Sequence, residues 1–250
     1  MARTSRHTSK AKKNLDKASP EDYRGLSIVI PAAGVGRRMK SYGAKGLINI
    51  GTATVLERQI KLLWKAYPFS EIIIVAGFQA GLVSERIRKK YPVKIVRNYN
   101  YEESNVAHSI FLGIQASVNS QVLVVYGDLV FNYKTISKIV DGQSKIVVDT
   151  RGRFGQEEVG VLFNDKIITN FSHGLKSKWA QIAYLTGKEL RLFEDIASSI
   201  ETEKWFGYEV LNKVIDNGGE MMPVEPSGMK VVEIDSPRDL SKAIHLASIH

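Results

Sequence analysis

Four short apolar runs constrain the fold of this chain more than any other feature: Ser27–Pro31, Glu71–Ala76, Val93–Arg97 and Gln121–Tyr126. The second carries three isoleucines in succession. Strands that are apolar along most of their length must be covered on both faces, which is the condition of a parallel sheet. The segments between them have helical character. Thr54–Ala66 puts Val55, Ile60, Leu62, Leu63 and Trp64 on or near one face. Gly81–Lys90 is charged and amphipathic, and Asn105–Ser117 reads as a third helix. Strand, helix and strand in repetition make βαβ units, hence an α/β fold with a mostly parallel central sheet.

After residue 128 the rhythm changes. The pattern predicts a short helix over Thr135–Val140, a strand over Lys145–Asp149 and a hairpin of Glu157–Phe163 with Lys166–Phe171. A strand over Ala180–Leu185, helices over Lys188–Ser199 and Glu203–Asn217, and a turn at Gly218-Gly219 follow. Met229–Ile234 reads as a last strand and Pro237–Ser248 as the closing helix, with its proline in the first turn, where the missing N–H costs nothing. Residues 25–250 therefore read as one α/β domain with a β-rich insertion in its second half.

Composition narrows the chemistry. The absence of cysteine excludes a disulfide scaffold, a thiolate metal site and a cysteine nucleophile. The longest apolar stretches, around Ile28–Ala33 and Ile72–Ala76, fall far short of the ~20 residues of a membrane span, so a cytoplasmic protein with no membrane partner is expected. The formal charge is +9, and residues 1–24 hold seven basic against three acidic residues. That segment reads as a basic, solvated and disordered tail. No helix-turn-helix, RRM or zinc pattern accompanies it, so nucleic acid is not expected as a partner.

The strongest local signal is Pro31-Ala-Ala-Gly34-Val-Gly36-Arg-Arg38-Met39, followed by Ala44-Lys45-Gly-Leu47. Small residues directly after a strand let the backbone approach a ligand, and successive N–H groups there form an anion-binding concavity. Arg38 and Lys45 add full positive charges at its rim, so a polyphosphate is the natural occupant. Met39 stands where the dinucleotide fingerprint needs a third glycine, and Gly46 stands where the Walker A motif needs Ser or Thr.

This string resembles the signature of the nucleotidyltransferases that activate sugar phosphates, phosphocholine and related phosphates, which is roughly small-Ala-Ala-Gly-x-Gly-x-Arg-Met followed by Pro-Lys. Ala44 stands in place of the proline. The closest flavour is the phosphocholine cytidylyltransferase-like group, whose loop and helix the stretch Asn98–Leu112 resembles through Tyr101, Ser104-Asn105 and Ser109. The resemblance spans about residues 26–245. It implies a single Rossmann-like (GT-A-type) nucleotidyltransferase domain in which the β-rich insertion binds the acceptor.

Asp128 and Asp235 each follow an apolar run at the position where open α/β sheets bind ligands. As isolated residues both could be turn formers or helix caps. The resemblance implies that they hold Mg²⁺ together, hard oxygen ligands being suited to that ion. It further implies that Arg38, Lys45 and Asp128 are catalytic, and that Ala32, Ala33, Gly34, Gly36, Asn105 and Ser109 bind the nucleotide. Asp239 reads as an ordinary acid in the first turn of the last helix.

The acceptor site is assigned to the second half, to Asp149, Glu157, Glu158, the Phe171–Lys178 loop, Gln181 and Trp205, with Trp205 and Tyr208 available as an aromatic wall for a quaternary ammonium. Gln181 stands where the family often has Glu, and His173 near a frequent Lys. The partners implied are an NTP, CTP being favoured, and a phosphorylated small molecule; a homo-oligomer is compatible with the sequence. A glycosyltransferase using a nucleotide-sugar donor and a non-catalytic nucleotide sensor remain as alternatives.

Overall fold

A computed structural model describes residues 23–249 apart from 153 and 165. Strand β1 (Leu26–Ala32) leads through two 3-10 segments, Arg37–Tyr42 and Lys45–Leu47, to a small hairpin of β2 (Asn49–Ile50) and β3 (Ala53–Thr54) and then to α1 (Val55–Ala66). Next come β4 (Glu71–Ala76), α2 (Ala80–Arg88), β5 (Lys94–Arg97), α3 (Val106–Gln115), β6 (Gln121–Val125), β7 (Leu129–Phe131) and the single turn α4 (Tyr133–Ile136). The second half adds β8 (Lys145–Asp149), β9 (Val159–Phe163), β10 (Ile168–His173) and β11 (Ser177–Thr186). It closes with α5 (Gly187–Ala197), α6 (Gly207–Asp216), β12 (Met222–Val224), β13 (Val231–Glu233) and α7 (Pro237–Ser248).

The expected parallel centre is present. β6, β1, β4 and β5 lie side by side and parallel, with Ile28 between Ile72 and Leu123. Ile28 and Ile30 pack with Leu56, Ile60 and Val83 of α1 and α2. Val29, one residue out of phase, packs with Ile110, Phe193 and Val214 of α3, α5 and α6 on the other face. This two-sided burial is why the strands are apolar throughout. A third cluster, of Met39, Ile48, Val55, Val130, Ile234 and Leu246, lies under α7.

The β-rich second half extends the same sheet. β11 runs antiparallel to β6 and also pairs with β8 and β9, while β9 and β10 form the expected hairpin. Most boundaries shift by one to three residues, β11 for example beginning at Ser177 rather than Ala180, and three elements change more. The helix expected over Thr135–Val140 is α4, because the Asn132 side chain accepts from the Thr135 N–H and starts the turn early. The helix expected from Glu203 begins at Gly207. The strand expected over Met229–Ile234 contracts to β13, which pairs with β7, a strand the sequence pattern did not mark.

The basic tail lies, as far as residue 22, outside the described residues. Its last two positions belong to the body: Tyr23 packs edge-on against Tyr67 at 5.0 Å, and the Arg24 guanidinium lies 5.8 Å over the Phe69 ring.

One buried charge ties α1 to α2. Glu57 is only 3% exposed; its carboxylate accepts from the Thr54 N–H at 2.9 Å and from Lys90 Nζ at 2.6 Å, and Arg86 Nε lies 3.2 Å away. Burial alone would raise its pKa. The Lys90, Thr54 and Arg86 contacts outweigh burial and carry it from 4.5 down to about 2. A lowered carboxyl pKa stabilises the fold above the unfolded-state value and loses that contribution as pH falls toward the folded-state value. Glu57→Gln is therefore expected to lower unfolding free energy at pH 7 by about 3 kcal/mol. The deficit relative to wild type should narrow steadily below pH 4.5, as read from urea midpoints. A deficit that stays constant down to pH 3 would contradict this.

Candidate active site at the C-terminal edge of the sheet

The loop after β1 is shaped by two residues. Gly36 has φ +57°, a conformation side chains rarely adopt, and a Cβ there would lie 3.2 Å from Cγ and Cε of Lys45. Met39 is fully buried in the third cluster, and its N–H donates to the Gly36 carbonyl at 2.6 Å. Met39 thus anchors the loop, and the neighbouring Arg38 is left 71% exposed at its rim, 3.3 Å from Asp235.

Asp128 sits in the tight crossing from β6 to β7. The Gln59 amide, buried on α1, donates to the carbonyls of Tyr126 at 2.9 Å and Leu129 at 2.8 Å on either side of it. The β7–β13 ribbon pairs Leu129 with Glu233, and the Ile234 N–H then donates to the Asp128 carbonyl at 3.0 Å. That ribbon brings Asp235 to Asp128. Ile234 points into the core, so Glu233 and Asp235, two residues apart on extended chain, turn their carboxylates the same way.

Lys45 closes the arrangement. Its ammonium donates to Asp128 Oδ2 at 3.0 Å and to Asp235 Oδ1 at 2.8 Å. Burial pulls its pKa down, but the two carboxylates overcome that and hold it above the usual lysine value. Burial likewise raises Asp235, and the Lys45 hydrogen bond and charge more than reverse it. Glu233 goes the other way: burial first, then the charges of Asp128 and Asp235, push it up to about 7. Lys178 of β11 lies 3.4 Å from Glu233 and 2.5 Å from Glu158.

Oxygens of Asp128, Glu233 and Asp235 lie within 4.8 Å of one another. Asp128 Oδ1 is buried and has no hydrogen-bond partner among the described residues. An all-oxygen set with one oxygen left over suits a hard divalent cation. Glu233 was absent from the sequence-derived site, whereas Glu158 and Lys178 belong to the segments expected around the acceptor. For Glu233 a signal existed, its i, i+2 spacing from Asp235.

Arg38, Lys45, Asp128, Glu158, Glu233 and Asp235 line one cleft of about 660 Å³, a size suited to a nucleotide-sized ligand. Ala32, Ala33, Gly34 and Gly36 form its floor, and Asn105 and Ser109 also line it. Asn105 caps α3, its side chain accepting from the Val106 N–H at 2.8 Å. Ser109 is buried, and its hydroxyl accepts from the Asn98 amide at 3.1 Å. Glu157 and Gln181 line the opposite half together with Trp179, His173, Phe206 and Tyr208. Gln181 has φ +57° at an irregularity in β11.

Two expected acceptor residues do not line the cleft. Asp149, at the end of β8, accepts from the Arg151 N–H at 3.0 Å. Trp205 packs against the core beneath α3 and α6, because its place just before α6 turns it inward. Asp239 is the helix acid expected: it closes a capping box with Ser236.

The family model described as MobA-like NTP transferase domain matches residues 28–182. The chain belongs to that family. The match runs from β1 through the irregularity in β11, so it takes in the whole phosphate loop and Asp128.

Among curated relatives, the bifunctional protein GlmU of Buchnera aphidicola is 28% identical over 216 residues, covering 80% of this chain and 46% of that protein. The chain thus spans about half the length of the curated relatives it matches first. Solved structures confirm the fold. The inositol-1-phosphate CTP transferase from T. maritima has a TM-score of 0.76 at 22% identity, over 89% of this chain and 94% of that one. The CTP:phosphocholine cytidylyltransferase from Streptococcus pneumoniae has a TM-score of 0.74 at 19% identity, over 89% and 99%. Among the described residues, no helix is long and apolar enough to cross a membrane.

Gly127 is a structural test of this geometry. A Cβ on it would lie 2.7 Å from Ala32 Cβ and 2.8 Å from the Pro31 carbonyl oxygen, so the backbone must give. Gly127→Ala is expected to lower stability by about 1–3 kcal/mol and to move Asp128 off Lys45. A denaturant midpoint equal to wild type would show that the β6–β7 crossing is looser than this packing implies.

Proposed function

We propose that this protein transfers a nucleoside monophosphate from an NTP to a phosphorylated small molecule, releasing pyrophosphate, with Mg²⁺ as cofactor. The observation that carries this reading is the meeting of a basic glycine-rich loop with a carboxylate cluster in one cleft: Lys45 touches both Asp128 and Asp235. An oxygen of the acceptor phosphate forms the new bond to the α-phosphorus. The bond from that phosphorus to the bridging oxygen breaks, and its electrons leave with pyrophosphate.

A phosphate oxygen is already ionised near neutral pH, so positioning and charge neutralisation supply most of the acceleration. Asp128, Asp235 and Glu233 hold Mg²⁺, which supplies neutralisation of the phosphate oxygens when bound. Arg38 and Lys45 balance the triphosphate and the charge that builds on the leaving group. The backbone of Ala32–Gly34 lies against base and ribose, and Asn105 and Ser109 face the base.

CTP is the favoured donor, because two solved proteins that share this fold are named for CTP. On the acceptor side, Phe206 and Tyr208 stack with ring centroids 5.8 Å apart, and His173 meets Tyr208 edge-on at 5.6 Å. Glu157 and Glu158 line the same half of the cleft. Rings and acids together favour a phosphorylated alcohol carrying positive charge, such as phosphocholine, over a neutral sugar phosphate.

Incubation with Mg²⁺, each of the four NTPs and a panel of sugar 1-phosphates, phosphocholine and related phosphates tests the reading. Pyrophosphate is expected only with an acceptor phosphate and Mg²⁺, fastest with CTP, and is lost on chelation. Release of a nucleoside diphosphate from a nucleotide sugar would instead identify a glycosyltransferase. Asp128→Asn and Lys45→Ala are each expected to reduce turnover at least ~100-fold. Near-wild-type pyrophosphate release by either folded variant would remove that residue from the mechanism.

A further inference from the structure

We propose that Gln79 is a positioning residue that latches the phosphate loop from outside the cleft, taking the place of a rigid residue at position 44. This rests on the nucleotidyl-transfer reading above, whose loop it serves.

The turn between β4 and α2, residues 77–79, touches both ends of that loop. At the entry, the Phe78 N–H donates to the Ala33 carbonyl at 2.9 Å. At the exit, Gln79 Oε1 accepts from the Ala44 N–H at 2.9 Å, one residue before Lys45. Gly43 has φ +77°, and a Cβ there would lie 2.8 Å from Gln79 Oε1, so the chain narrows to glycine where this side chain crosses it.

Gln79 itself is held at φ +52°, in the left-handed region. Glycine would occupy that backbone conformation without strain, so keeping a long amide side chain there points to a use for it. Its contact with Ala44 is that use. Ala44 has φ −61° and ψ 124°, values open to proline, yet here a freely rotating residue precedes Lys45 and its N–H is held by another element. The latch sets where Lys45 starts, and Lys45 must then span to Asp128 and Asp235, 83 and 190 residues away. A loosened exit spreads the lysine over several positions, and electrostatic stabilisation falls steeply with misplacement.

The test separates positioning from folding. Gln79→Gly removes the latch and the backbone strain together. The relieved strain offsets the lost hydrogen bond, so its denaturant midpoint should stay close to that of wild type. Its kcat for pyrophosphate release should fall about tenfold, the scale of one lost hydrogen bond amplified by misplacement, with KM for the acceptor unchanged. Gln79→Glu retains an acceptor oxygen and should keep kcat within about threefold of wild type. Ala44→Pro in the Gln79→Gly background restores rigidity by another route and should recover most of the loss.

Wild-type kcat in Gln79→Gly, or a double variant no faster than Gln79→Gly alone, overturns the proposal. Hydrogen exchange at the Ala44 amide gives a readout independent of turnover: protected in wild type and Gln79→Glu, unprotected in Gln79→Gly. If no NTP and acceptor pair yields pyrophosphate with wild-type protein, the functional reading fails, while an Ala44 amide unprotected in wild type would sink the latch alone.

Discussion

Three carboxylates crowded into one partly buried corner are unstable by themselves, and the site is organised around offsetting that repulsion. Asp128, Glu233 and Asp235 present oxygens within 4.8 Å of one another. Lys45 is the internal answer: its ammonium is shared between two of them, and it is itself mostly buried, with its side chain 17% exposed. Lys178 serves the third from the opposite side, and Arg38 adds a looser charge at the rim. Together these cations balance the negative charge of the corner.

The fold supplies this corner at little expense because every participant hangs on something rigid. The glycine-rich loop leaves β1, an interior strand of the sheet, and is pinned by buried Met39. The Asp128 crossing is clamped by a buried amide from α1. Asp235 arrives on β13, a strand outside the main sheet whose partner is β7, the strand that follows Asp128. Two short ribbon strands therefore do what the large sheet cannot, which is to return the end of the chain to its middle. The other half of the cleft is built differently, from the antiparallel extension and α6, so its lining can vary without disturbing the loop after β1.

Much of this was readable in the residues. Two-sided apolar runs located β1, β4, β5 and β6 because burial on both faces leaves no room for polar alternation. The loop residues were readable because backbone approach to an anion demands small residues in succession. Several elements of three residues or fewer escaped: β2, β3, β7 and β12 are too short to show a period, and β7 and β12 are held by partners distant in sequence. Glu233 lay within an expected strand, but its part in the carboxylate cluster depends on the pairing of that strand with β7. Asp149 and Trp205 were misplaced because strand-end and helix-start positions say nothing about which way a side chain turns.

By itself, then, the sequence determined the parallel core, the phosphate loop with its two cations and the two strand-end aspartates, all of which depend on local pattern and residue chemistry. Only the tertiary structure decided that Lys45 sits between Asp128 and Asp235, that Glu233 joins them, and that Gln79 reaches the exit of the loop. Those are contacts between residues 35 to 190 positions apart. No local preference encodes them; they follow from strand register and from the pairing of β7 with β13.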